Sequence, residues 1–188
     1  TIGDWVNFEN AKIGRHVDFD GADIGLSATF EKVKIEETVR FRDVTIGESV
    51  EFNEADIGGK AWFDHANIGK SVKFENATTE TVSMEKTNFP SDAMLSGYFG
   101  EGPSLTGLSV SGTLCLDLTY DTDDPVVIDL TGATVHSLTV ADDAYSLILD
   151  LTDAKIYRLD ESILPDTNVL NRWSLSGLDF TQFEFTES

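Results

Sequence analysis

Few residues of this 188-residue chain have both a reactive side chain and the sequence spacing typical of a catalytic or metal-binding site. The histidines His16, His65 and His136 could bind a metal or transfer protons, because imidazole ligates metals and titrates near neutral pH. They fall at different phases of the repeat described below, so no stacking brings them together. The run DTDD, from Asp121 to Asp124, resembles part of a calcium loop but lacks the downstream Gly and Glu. We assign no metal site to these groups.

Paired carboxylates could hydrolyse a glycosidic bond. The segment NFPSDAMLSGYFGEGPS is the one place where such a site could form, because it carries Asp92 and Glu101 near Tyr98 and Phe99. Enzymes of this kind built on repetitive β folds have long loops over a cleft, whereas the turns here are two or three residues long. We therefore predict a non-enzymatic protein with no catalytic residue and no cofactor.

The elements that would position any site come from an 11-residue repeat. The repeat predicts a core ladder of phenylalanines and isoleucines. The phenylalanines are Phe8, Phe19, Phe30, Phe41, Phe52, Phe63 and Phe74. The isoleucines lie five residues further on, at Ile13, Ile24, Ile35, Ile46, Ile57 and Ile68. A valine or alanine precedes each phenylalanine by two residues, and a fixed period of this kind indicates a repeat architecture.

An 11-residue period is also that of a right-handed coiled coil. The alternation within each unit, V-x-F and then A-x-I, instead favours β-strands, as does the abundance of Val, Ile, Phe and Thr. Each unit then supplies two short sides, and two units make a four-sided coil of about 22 residues. A glycine follows most of the isoleucines, and we expect a left-handed backbone at this wider corner. These glycines are Gly14, Gly25, Gly47, Gly58 and Gly69.

Outward charges test the 22-residue stacking. At that spacing Asp18 meets Arg40, and we expect such opposite charges to stabilise neighbouring strands by a fraction of a kcal/mol. Further pairs of this kind are Glu51 with Lys73, Arg15 with Glu37, Glu48 with Lys70, and Asp20 with Arg42. Like charges also meet, as Glu9 does with Glu31, so the support is partial.

The A-x-I and V-x-F units resemble the pentapeptide-repeat family, whose unit places a small residue two before a central Leu or Phe. The 5-plus-6 spacing is similar to the 11-residue variants of that family, and the match runs from Val6 to about Ala77. The resemblance implies an all-β fold, a right-handed quadrilateral parallel β-helix. It implies little about activity, because the family is mostly non-enzymatic and functionally diverse. Counting motifs along the chain predicts roughly eight coils.

The repeat loosens after residue 80. We predict a regular Phe-centred solenoid over residues 1–89, an irregular excursion or linker over 90–104, and an acidic Leu-centred continuation over 105–188. The continuation rests on LTGLSV, LTYDTD, LTGATV, LTDAKI and LSGLDF, which begin at Leu105, Leu118, Leu130, Leu151 and Leu175. A separate small β domain after residue 100 is the alternative.

The charge is unevenly divided. The net charge is −21, with 17 acidic and 10 basic residues in 1–89 but 17 acidic and 3 basic in 90–188. Such a chain repels nucleic acid and anionic membranes, and no apolar stretch is long enough to span a membrane. The acidity also fits a salty habitat.

The lone Cys115 between Leu114 and Leu116 excludes a disulfide framework, and we expect a buried thiol and a cytoplasmic protein. Because the chain opens inside a repeat, we expect further sequence upstream.

Two functions remain open. The first is a structural scaffold that self-associates end to end into a homo-oligomer or a cytoskeleton-like filament, because exposed coil edges template further pairing. The similarity to bactofilin-type cytoskeletal β-helices is architectural only. Possible end-stacking or partner residues are Trp173, Leu175, Phe180, Phe183 and Phe185. The second is a protein-binding module, including an acidic mimic of DNA as some pentapeptide-repeat proteins are.

Overall fold

The structure is a computed structural model that describes residues 1–120, 126–140, 147–159, 174 and 176–179. Throughout these residues the fold is all-β, with parallel pairing and no helix. The first strands are β1 (Val6–Asn7), β2 (Lys12–Ile13), β3 (Val17–Asp18), β4 (Asp23–Ile24), β5 (Ala28–Thr29), β6 (Lys34–Ile35), β7 (Val39–Arg40) and β8 (Thr45–Ile46). The next are β9 (Val50–Glu51), β10 (Asp56–Ile57), β11 (Ala61–Trp62), β12 (Asn67–Ile68), β13 (Val72–Lys73), β14 (Ala77–Thr79), β15 (Val82–Ser83) and β16 (Asn88–Phe89).

Later strands are longer. They are β17 (Ala93–Phe99), β18 (Ser109–Thr119), β19 (Val126–Asp129), β20 (Thr134–Val140), β21 (Leu147–Asp150) and β22 (Lys155–Leu159).

The early strands stack as the four sides of a coil. Side 1 is β1-β5-β9-β13, and side 3 is β3-β7-β11-β15. Side 2 begins β2-β6-β10-β14, and side 4 begins β4-β8-β12-β16. Val6 pairs with Ala28 and Val17 with Val39, so the register between neighbouring coils is 22 residues. The predicted parallel β-solenoid with about 22 residues per coil is confirmed.

Alternation places the repeat's apolar residues inside. In the second and later coils the phenylalanines of the repeat are fully buried, and the isoleucines of the repeat are at most 2 % exposed. Valine, isoleucine and phenylalanine suit a pleated strand, and each two-residue strand contributes one inward and one outward side chain. The core therefore runs as a continuous column inside the four sides.

The tight corners carry the left-handed backbone, contrary to the sequence expectation. It occurs two residues after each central Phe, Met or Leu, for example at Asn10 (φ 58°), His65 (φ 60°) and Gly132 (φ 65°). The column of glycines after the isoleucines serves another purpose. A Cβ added at Gly47 would lie 2.2 Å from the carbonyl oxygen of Gly25 in the coil below. The glycine there permits close approach of neighbouring backbones.

The cross-section changes above the fourth coil. β17 pairs with both β14 and β18, so part of the segment predicted as an irregular excursion or linker is a strand of the solenoid. Alternating inward residues at Ala93, Leu95 and Phe99 explain this strand. In β18, Ser109 pairs with Asn88 of β16, and Thr119 pairs with Tyr98 of β17. The strand β18 therefore stays extended through positions that are corners in the lower coils.

Pairing continues without a break from β16 through β18 and β20 to β22, rather than ending at a separate second domain. Among the described strands, the ladder β4-β8-β12-β16-β18-β20-β22 makes six turns, slightly fewer than the roughly eight coils predicted for the whole chain. Isolated bridges, Ile2 to Ile24 and Lys155 to Asp179, extend it at either end.

One Leu-centred motif was wrongly placed. LTYDTD does not begin a tight corner, because Leu118 lies inside β18 and its side chain is only partly buried. The long alternating stretch from Ser109 keeps the chain extended through this position. By contrast, Leu105, Leu130 and Leu151 are buried and lie two residues before a left-handed residue, as the repeat predicts.

Candidate functional site

The structure keeps the candidate catalytic groups apart. His16 lies 3.8 Å from Glu37, His65 occupies a tight corner, and the ring of His136 stacks on Tyr157 at 5.9 Å. No group of three or more His, Cys, Asp or Glu that could hold a metal occurs among the described residues. The run from Asp121 to Asp124 lies outside them.

The carboxylates of the 88–104 segment have separate structural partners. Asp92 accepts a hydrogen bond from the backbone N–H of Thr113 at 2.7 Å. Glu101 lies 3.5 Å from Lys60, which also contacts Glu80 at 3.5 Å. Each carboxylate therefore holds neighbouring coils together.

Two phenylalanine columns form the centre of the solenoid. Phe30 stacks on Phe52 at 4.8 Å, and Phe52 on Phe74 at 5.0 Å. The second column stacks Phe41 on Phe63 at 5.3 Å, and edge-to-face contacts near 6 Å join the columns. Both geometries are favourable for aromatic rings. The residues of the core ladder thus form the packed interior of the solenoid.

The first coil, residues 1–22, is incompletely covered. Phe8, Ile13 and Phe19 are only partly buried, although each stacks under a fully or nearly fully buried residue of the next coil. β1, β2 and β3 are end strands, each paired on one side among the described residues. Trp5, at the adjoining corner, is 60 % exposed. In the described part of the chain, this face therefore combines apolar side chains with strand edges that no other strand pairs.

The outward charges pair across coils as the 22-residue register predicts. Lys70 contacts Glu48 at 2.7 Å, and the Asp18–Arg40, Glu51–Lys73 and Arg15–Glu37 pairs lie at 3.5 to 3.8 Å. Such exposed pairs contribute little individually.

The most closely joined pair is Asp20 with Arg42. Arg42 donates from its backbone N–H and from Nε, each at 2.9 Å. Burial opposes ionisation of Asp20, but the hydrogen bonds and charge of Arg42 outweigh it and hold the pKa of Asp20 below its ordinary value.

All ion pairs among the described residues involve positions up to Glu101. Beyond it, Asp129 accepts hydrogen bonds from Thr106 and Thr131 at 2.9 Å. Burial opposes ionisation, but these hydrogen bonds lower the pKa of Asp129 below its usual range. These contacts favour the ionised form of Asp129, and residues 90–188 contain only 3 basic residues beside 17 acidic ones.

A notch that the sequence did not indicate as a site lies where the corner of the fourth coil gives way to β17. It has a volume of about 380 Å³ and is lined by Glu75, Asn76, Ser96, Tyr98 and Asp117, among others. Of these residues, the sequence indicated Tyr98 as a neighbour of Asp92 and Glu101, and Asn76 as the start of NAT, a tripeptide that fits the N-glycosylation pattern. The signal that could have found it is the loss of the corner pattern between Asn76 and Gly97.

Two further expectations concern the burial of Cys115 and the apolar C-terminal partner residues. Cys115 is not fully buried, because it faces outward on β18 between Met94 and Thr139. The proposed partner residues Trp173, Leu175, Phe180, Phe183 and Phe185 lie outside the described residues. In the described part of the chain, no helix is long and apolar enough to cross a membrane.

Comparison with known proteins gives one match. Residues 30–78 match the family model of pentapeptide repeats (9 copies). No curated protein and no solved structure matches the chain. The matched segment lies within the four-sided coils, where the Phe columns and the 22-residue register are most regular.

Proposed function

We propose that this chain, a β-solenoid whose residues 30–78 match the pentapeptide-repeat model, is a non-enzymatic structural module that self-associates end to end through its first coil. The family is generally non-enzymatic, and its fold suggests a structural or protein-interaction role. The observation that carries the proposal is the face formed by Phe8, Ile13 and Phe19, which no described residue covers completely, beside strand edges that no described strand pairs.

Two contributions favour association at this face. Completing the burial of each partly covered side chain contributes about 1 kcal/mol, a fraction of the value for full burial. The edges of β1, β2 and β3 offer backbone donors and acceptors to another strand, as open edges generally do. A second copy can satisfy both requirements at once.

Growth beyond a pair of molecules needs a second contact. For it we propose the apolar C-terminal residues Trp173, Leu175, Phe180, Phe183 and Phe185, which would extend the assembly into a cytoskeleton-like filament. A chain that associates through two different faces forms an open filament when the rotation between successive copies does not close into a ring. We also propose a cytoplasmic location and, from the acidic excess, a high-salt environment.

Analytical ultracentrifugation of an edge variant tests the proposal. Ile13→Glu places a charge on the open face, whereas Val127→Glu places the same charge on a 50 % exposed lateral side chain. We expect Ile13→Glu to sediment as a monomer at concentrations where the wild type and Val127→Glu associate. Equal association of both variants would contradict a role for the first coil.

An acidic protein-binding module, including a mimic of DNA, is the second candidate. The observation that favours it is the charge of residues 90–188, with 17 acidic and 3 basic residues. Binding to a basic partner should weaken steeply with salt. Displacement of duplex DNA from a basic DNA-binding domain at low salt, lost at high salt, would support this function.

A further inference from the structure

We infer that the notch beside β17 binds a guanidinium group, and that its occupant is an arginine side chain of a partner protein. The notch arises because β17 runs straight where lower coils have a protruding corner at Glu75 and Asn76. It lies on the lateral surface, away from the first coil. Binding there is therefore independent of end-to-end association.

The floor of the notch is Ser96. Its side chain is on the outward side of β17, yet the residue is only 6 % exposed because the corner below covers it. No hydrogen bond joins its hydroxyl to another described residue. The hydroxyl oxygen itself stays accessible from the notch, because it is not among the fully enclosed side-chain oxygens that lack a partner. A polar group of a ligand that enters the notch can therefore form a hydrogen bond with it.

The walls of the notch are negative. Glu75 lies on the lower wall, and Asp117 pairs in register with Ser96 on the next strand. Neither carboxylate has an ion pair or a side-chain hydrogen bond with a described residue. By contrast, the neighbouring Glu51 lies 3.5 Å from Lys73. No basic residue lines the notch, so its field favours a cation.

The shape of the notch and its aromatic wall favour a guanidinium group over a compact cation. The volume of about 380 Å³ is far larger than a metal ion and its ligands require, and accommodates a long side chain. The Tyr98 residue, which lines the notch, is 36 % exposed. Guanidinium stacks on aromatic rings while its N–H groups bind carboxylates in a fork. Glu75, Asp117 and Tyr98 supply these contacts.

Ligand-observed saturation-transfer NMR with the full chain tests the inference in any oligomeric state. The probe is the peptide acetyl-Gly-Arg-Gly-amide, compared with the same peptide carrying neutral citrulline in place of arginine. Agmatine, a small guanidine without a peptide backbone, distinguishes a protein side chain from a free metabolite. We expect saturable binding of the arginine peptide, with a dissociation constant on the order of millimolar, and none of the citrulline peptide.

Variants locate the binding. Glu75→Gln and Asp117→Asn should each weaken the arginine peptide about three- to fivefold, as expected for loss of one partly exposed charge pair. Glu31→Gln is the control, because it removes the same charge at the same repeat phase but from a carboxylate that is paired with Lys32 at 3.3 Å and lies away from the notch. It should leave the affinity unchanged.

Three outcomes would overturn the inference. Equal binding of the citrulline peptide would remove the requirement for a cation. Equal weakening by Glu31→Gln would show that general negative charge, rather than the notch, attracts the peptide. Binding of agmatine without binding of the arginine peptide would overturn the assignment to a protein side chain.

Discussion

The cost of removing a core phenylalanine should depend on its position along the rod. Phe52 is fully buried and stacks on Phe30 and Phe74, with edge contacts to Phe41 and Phe63. Truncating a buried phenylalanine to alanine costs about 3–5 kcal/mol. We expect Phe52→Ala to reach the upper part of that range, because four aromatic contacts are lost together.

Phe8→Ala is the matched change at the open end. Phe8 is only partly buried and has two aromatic contacts, stacked on Phe30 at 5.2 Å and edge-on to Phe19 at 6.2 Å. Each aromatic pair contributes about 0.5–1.5 kcal/mol beyond burial. Because Phe8 has two aromatic pairs fewer than Phe52, we expect Phe8→Ala to cost about 1–3 kcal/mol less than Phe52→Ala. The smaller burial of Phe8 adds to this difference.

Urea unfolding followed by circular dichroism measures both variants. The protein is held at a concentration where wild type and variants sediment alike, so that association does not contribute. We expect a clearly lower midpoint for Phe52→Ala than for Phe8→Ala. Equal loss in the two variants would refute the reasoning that stability accumulates coil by coil from neighbouring contacts.

Three further predictions concern corners and charges. Gly47→Ala should lower the free energy of unfolding by about 1–3 kcal/mol, because the new Cβ would lie 2.2 Å from a backbone carbonyl oxygen. Gly14→Ala should leave the free energy of unfolding nearly unchanged in the same urea assay, because a Cβ there would meet only a flexible carboxylate at 3.9 Å. His65→Gly should raise the thermal midpoint by about 2–4 °C by relieving a left-handed backbone (φ 60°), and a lower midpoint would contradict this. Asp20→Asn should lower the free energy of unfolding at neutral pH. Because the pKa of Asp20 is lower in the folded state than in the unfolded state, this difference from wild type should disappear as the pH falls from about 4 through the folded-state pKa. A difference that grows in acid would contradict this reasoning.

The sequence predicted the regular coils well because their signal repeats. Phe30, Phe41 and Phe52 recur at one spacing, and a period-2 pattern leaves one way to bury them. The 22-residue register followed, and with it the ion pairs such as Glu48 with Lys70.

The corners were harder to predict. Lys86 and Asp153 adopt left-handed backbones without being glycine, so residue type did not indicate them. The position is instead fixed by the need to turn two residues after an inward side chain. Glycine marks a close approach between coils, which depends on the neighbouring backbone rather than on local sequence.

The notch depends on a change of cross-section that no single residue indicates. β18 is extended from Ser109 to Thr119 because its neighbours β17 and β20 are long as well. Ser96, Glu75 and Asp117 come together only after that change. Their proximity is therefore a property of three successive coils, which a local pattern does not encode.

Sedimentation velocity of the wild-type chain, over a range of concentrations at low and at multimolar KCl, tests end-to-end association most directly. Apolar burial strengthens or persists in high salt, whereas attraction between exposed charges is screened. We predict species that grow with concentration and survive multimolar KCl. A strict monomer under every condition would contradict self-association and would favour a partner-binding rod.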